Sequence, residues 1–200
     1  MFESDPFGYS CSAWMRWAMI GSALGKPVDP MAQPKAEDLK DPILWLCQAQ
    51  AMSEAAITLM KAQPSHEMMP LELRGIGDSQ FCATSMMLLG YSLEISLKAM
   101  RILRDGIDLF IKNEKQFHHH RLSELANFIP NLGEKDRATL DVLTNFTTWA
   151  GRYPDPGVVH LTKHESVFSL SEKYRITLKD VLDLAAKVMK NTEKVVAKAT

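Results

Sequence analysis

One long helix limits what this chain can become. The stretch from Asp78 to about Asp105 reads as a single helix, with Asp78 able to cap its first turn. Its first half, residues 81–91, is apolar nearly all round. A helix with that pattern belongs in the middle of a bundle. Its second half becomes amphipathic. Leu93, Leu97, Met100 and Leu103, or Ile95, Ala99 and Ile102, face inward, while Glu94, Lys98, Arg101 and Asp105 form one polar stripe.

Other segments supply partners. Asp41-Pro42 is a common helix start, since proline at the first position loses only an orphaned donor. Ile43, Leu46, Cys47, Ala51, Ala55 and Leu59 then form its expected inner face, and Pro64 ends it. Residues 65–77 read as a loop. Short helices are expected over 120–128 and 133–150, the second turning in Leu140, Leu143, Phe146 and Trp149 or Ala150. Gly151 and Pro154-Asp155-Pro156-Gly157 stop it, and residues 158–171 read as irregular or briefly extended. Thr177 and Asp180 resemble a capping box before a last helix with Leu178, Val181, Ala185, Val188, Thr192 and Val195 facing inward. About five or six helices and no convincing strand predict an all-α antiparallel bundle over residues 41–200. Residues 1–40 read as an N-terminal arm: a short helix over 10–24, then a linker broken by Pro27, Pro30 and Pro34. Trp14, Met15 and Trp17 need burial, on the body or against a partner.

Hydrophobic residues make up 46% and charged residues 24%, ordinary globular values that can build a core. A net charge of −1 argues against nucleic-acid binding by bulk charge alone. Seven Lys/Arg against three Asp/Glu from Lys173 onward make the C-terminal end locally basic. Cys11, Cys47 and Cys82 are far apart and read as buried free thiols in a cytoplasmic protein. No signal peptide and no membrane-spanning run is expected.

Three short pieces occur in order: Glu94 with Leu97-Lys98-Ala99, then His120-Arg121-Leu122 with Leu125, then Arg152-Tyr153-Pro154. In this order, over about residues 80–157, they resemble the HEPN superfamily of helical domains. The resemblance implies an antiparallel helical bundle, often a homodimer, that binds a nucleotide or RNA; some members are toxins or antiphage ribonucleases. It also implies a ligand site built from Glu94, Lys98, His120, Arg152 and Tyr153. In catalytic members an Arg is followed by His after four to six residues. The Arg would hold phosphate through its planar fork, and the His would move a proton. Here seven residues separate Arg152 from His160, so the ribonuclease motif is not intact. His120 or His160 could supply the imidazole instead.

Each of these residues has a plainer reading. Glu94 and Lys98 form a favourable i,i+4 helical pair. His120 can bond backbone at a helix start, and Arg152 can form a salt bridge or cap carbonyls after Trp149. Tyr153 is a core candidate with a hydroxyl needing a partner. Neither His118-His119-His120 nor His160 with His164 has convincing metal-site spacing, and no metal or cofactor is assigned. Lys187, Lys190, Lys194 and Lys198 form either a solvated face or a phosphate-contacting stripe. No Walker loop, dinucleotide fingerprint or nucleophile elbow occurs.

The expectation is therefore a cytoplasmic HEPN-like binding module that recognises a nucleotide or RNA phosphate through Arg152, Lys98 and His120. One alternative is a metal-independent endoribonuclease using Arg152 with His120 or His160. The other is a complex-forming subunit, of antitoxin type for example, whose polar cluster only orders the bundle.

Overall fold

A computed structural model describes residues 3–26, 28–62, 64–155, 157–158 and 161–199. Among them the chain is helical, with no strand. In order the helices are α1 (Pro6–Cys11), α2 (Ala13–Ala23), α3 (Ala36–Leu39), α4 (Pro42–Lys61), α5 (Arg74–Asp105), α6 (Ile107–Lys112), α7 (Glu114–Phe117), α8 (Leu122–Leu125), α9 (Glu134–Asn145), α10 (Leu161–Tyr174) and α11 (Leu178–Ala199). A short 3₁₀ turn, Leu71–Leu73, leads into α5, and a π-helical turn, Phe146–Ala150, continues α9.

Helix α5 is the hub: α4, α8, α9, α11 and the π turn all pack against it. Burial concentrates on its second half, where Leu89, Leu93, Leu97, Met100 and Ile102 enter the core beside Leu122, Leu125, Leu140, Leu143, Leu184 and Val188. This corrects the expected distribution. So many elements wrap the second half that its polar stripe is enclosed too: Glu94, Lys98 and Arg101 are all buried. The helix also starts one turn before Asp78, after the 3₁₀ turn, so Asp78 is not its cap.

Helix α4 begins as expected, with the Asp41 carboxylate accepting from Ile43 N–H at 2.9 Å. Its inner face differs. Ala49 and Ala56 are buried, while Ile43, Cys47, Ala51 and Ala55 are exposed. Small side chains let α4 approach α5 closely enough for Ser92 Oγ to donate to Ala49 O at 2.8 Å. The bulkier stripe misidentified the contact face because backbone proximity, not side-chain size, decides this one.

Two further expectations are corrected. Residues 161–174 form α10, packed on α9, rather than an extended segment. Its periodicity is weak, and tertiary packing supplies what the pattern lacks. Cys11, Cys47 and Cys82 are all exposed.

Helix α2 lies on the body, against α4. Ala18 and Gly21 of α2 are buried, and Lys26 Nζ sits 4.6 Å from the centroid of the Trp17 ring. Trp14 and Trp17 are half-buried, whereas Met15 remains exposed. Helix α11 follows its expected face at Val181, Val188 and Thr192, all buried, but Leu178 is exposed and Leu184, outside that face, is fully buried. Among the described residues no helix is long and apolar enough to cross a membrane.

Candidate functional site: a buried carboxylate between lysine and histidine

The site begins with Glu94, which α5 carries into the interior at 5% exposure. Its carboxylate is divided between two partners. Oε1 accepts from Lys98 Nζ at 2.7 Å, one turn along the same helix. Oε2 lies 2.8 Å from His120 Nδ1, on the segment leading into α8. The Lys98 side chain is also buried, so the pair is an enclosed ion pair rather than a solvated surface one. The His120 side chain is 44% exposed, and among the described residues its Nε2 has no hydrogen-bond partner.

Local packing fixes His120. Leu122 and Leu125 are fully buried and pin the short helix that follows. Leu122 N–H donates to Thr144 Oγ1 on α9 at 3.0 Å. The Tyr91 ring meets the imidazole edge-on, with centroids 5.8 Å apart.

Tyr91 is held in turn by the π turn. There Gly151 N–H bonds back to Phe146 O at 3.2 Å. In an α-helix it would bond to Thr147 O. The shift frees Thr147 O, which accepts from the Tyr91 hydroxyl at 2.9 Å. Such insertions recur at functional sites. Arg152 N–H is likewise redirected, to Trp149 O, and the Arg152 side chain satisfies Thr148 O through Nη2 at 2.5 Å.

The structure thus gathers Glu94, Lys98, His120 and Tyr91, but does not bring Arg152 into contact with them. Arg152 is exposed; its contacts are Thr148 O and the neighbouring Tyr153 ring, 5.8 Å from the guanidinium. Its neighbour Gly151 packs on Met87 and Ala83 and therefore meets α5 about two turns before Glu94. Tyr153 is 57% exposed rather than core. His160 lies outside the described residues. Among the described residues no three His, Cys, Asp or Glu side chains group so as to hold a metal ion.

Beside the site, His119 is mostly enclosed; burial lowers its pKa, and the nearby Arg121 charge lowers it further. Tyr91 and Thr147 were not singled out in the sequence. The apolar context of Tyr91 resembles ordinary core, and a π turn leaves no clear pattern in residue types. No protein-family model, curated protein or solved structure matches this chain.

Proposed function

We propose that this protein is a HEPN-like module that recognises the phosphate of a nucleotide or RNA at the mouth of the Glu94–Lys98–His120 cluster. One observation carries the reading: a buried carboxylate holds a half-exposed imidazole by Nδ1 and leaves Nε2 without a hydrogen-bond partner among the described residues. A fixed, outward ring nitrogen can donate to a phosphate oxygen when the ring is charged. The exposed Arg152 could leave Thr148 O and add its planar fork. A homodimer working in the cytoplasm, in a toxin–antitoxin or antiphage setting, belongs to the same reading and rests on the motif order alone.

The same geometry favours a second reading, a metal-independent endoribonuclease. A carboxylate that orients an imidazole by Nδ1 is the support a general base needs. In that case His120 Nε2 would take the proton from a ribose 2′-OH, and Arg152 would steady the phosphate.

The test incubates wild type, His120→Ala and Arg152→Ala with labelled structured RNA in the presence of a chelator. Binding is read by gel shift and cleavage by fragment analysis. The binding module is expected to shift RNA without cutting it, with weaker shifts in both variants. Fragments from wild type alone would establish the ribonuclease. Equal shifts for all three proteins would remove the assignment of this site.

A further inference from the structure

A cavity of about 660 Å³ opens one helical turn along α5 from Lys98, and neither Glu94, Lys98 nor His120 lines it. Its wall includes Arg101, which is 8% exposed. The guanidinium lies between two rings, 4.8 Å from the Phe117 centroid and 4.9 Å from that of Phe128. Nη2 donates to Asn127 Oδ1 at 2.8 Å and to Leu125 O at 3.3 Å, while Nε is buried with no acceptor.

Arg101 lacks a contact ion pair, and Asp105 acts on it only through space. Among the described residues no carboxylate lies within ion-pair distance of it. The nearest candidate on its own helix, Asp105, is held by Arg104 through two bonds of 2.6 and 2.8 Å. A guanidinium does not shed its proton to escape burial. Burial and the neighbouring Arg104 charge push its pKa down, which marks the same discomfort. Aromatic faces and neutral acceptors offset only part of the desolvation cost of a full charge.

Of the two acids on the cavity wall, Glu124 is ion-paired and Asp141 is held by a neutral hydroxyl. Glu124 pairs with Arg121 at 2.6 Å, and Asp141 accepts from Ser123 Oγ at 2.5 Å. Arg137, exposed on the same wall, makes no ion pair among the described residues. Two arginines therefore face one cavity, and neither makes a contact ion pair among the described residues.

We propose that this cavity binds a small molecule through an oxyanion, a phosphate or carboxylate group, with Arg101 as its buried counter-charge and Arg137 closing on it from the rim. The volume suits a ligand larger than a bare ion. Asn127 and Asp141 would accept from donors on the ligand body.

Calorimetric titration of the full chain with inorganic phosphate, AMP and citrate, in chloride buffer, tests the site. Binding of phosphate and AMP, or of citrate, identifies which oxyanion source fits, and either supports the assignment. Arg101→Met is expected to weaken that binding at least about tenfold while preserving or raising Tm, since an unpaired buried charge is removed. A merely structural arginine would lower Tm and leave affinity alone. Should Arg101→Met fail to fold, Arg101→Lys and Arg137→Ala decide, because lysine keeps the charge but loses the planar fork. Wild type that binds none of the three at millimolar concentration overturns the proposal, as does unchanged affinity in the variants. Retained anion binding in His120→Ala, alongside lost RNA binding, would keep this cavity distinct from the neighbouring site.

Discussion

Glu94 Oε2 and His120 Nδ1 lie 2.8 Å apart across twenty-six residues of chain, while the other oxygen of the same carboxylate holds Lys98. One side chain thereby ties the central helix to the segment that opens α8. It also balances a lysine that the fold has taken out of water.

That arrangement predicts a strong asymmetry between single and paired substitutions. Glu94→Ala strands the Lys98 charge in the interior and is expected to cost about 3–5 kcal/mol. The double variant Glu94→Leu/Lys98→Met removes both charges and is expected to recover most of that loss. His120→Ala, at a half-exposed position, is expected to cost about 1 kcal/mol. Urea unfolding of wild type, Glu94→Leu, Lys98→Met and the double variant gives the coupling as a double-mutant cycle, with His120→Ala measured beside them. Additive losses at Glu94 and Lys98 would mean that the pair is not buried as described.

Glycines set the contact between α5 and the π turn. A Cβ on Gly151 would stand 2.3 Å from Met87 Cβ and 2.9 Å from Ala83 O. One on Gly90 would stand 2.5 Å from Thr147 Cγ2 and 3.3 Å from Leu143 O. Neither backbone can yield without moving a helix. Gly151→Ala and Gly90→Ala are each expected to destabilise by about 1–3 kcal/mol, against the usual helix-favouring effect of alanine. A rise in Tm for either would show that the helices separate freely.

The parts of this fold that can be read from residue types are those where side-chain character decides. The central place of the long helix, the Asp41-Pro42 start and the Val181, Val188 and Thr192 positions of α11 follow from apolar periodicity or cap chemistry. What could not be read depends on neighbours distant in sequence. Glu94, Lys98 and Arg101 look like a solvated stripe because their i,i+4 spacing is the same whether water or α8 lies opposite. The α4 face was misread because Ala49 gains its place through close backbone approach to Ser92, which a hydrophobicity pattern undervalues. The motif order brought attention to Glu94, Lys98 and His120, whereas Arg152 takes its plainer reading and caps a carbonyl at the helix end, Thr148 O, which the π turn leaves open.

His119 gives a pH signature. Burial, followed by the Arg121 charge, lowers its pKa from 6.5, so folding disfavours the charged ring. As pH falls through about 6.5, the unfolded chain takes up a proton that the folded chain still refuses. Stability is therefore full above that point and declines below it, until the folded ring also titrates. His119→Gln is expected to flatten this part of the Tm profile between about pH 7 and pH 5. An unchanged slope in the variant would assign the decline to another group.

The start of α11 gives a second signature at lower pH. The Asp180 carboxylate accepts from both the backbone N–H and the hydroxyl of Thr177, at 2.7 and 2.6 Å, and pairs with Lys135 at 2.7 Å. The Lys135 bond first, then the two Thr177 bonds, hold its pKa well below the usual carboxylate range. Its contribution is present above the unfolded value of 3.8 and fades as pH falls toward the folded one. Thr177→Ala removes the cap and is expected to cost about 1 kcal/mol at neutral pH. Lys135→Ala leaves the cap in place but removes the largest cause of the shift, so acid unfolding should begin at higher pH than in wild type. Helical circular dichroism during acid titration separates the two effects. Coincident acid transitions for wild type and Lys135→Ala would mean that the lysine does not stabilise the charged carboxylate.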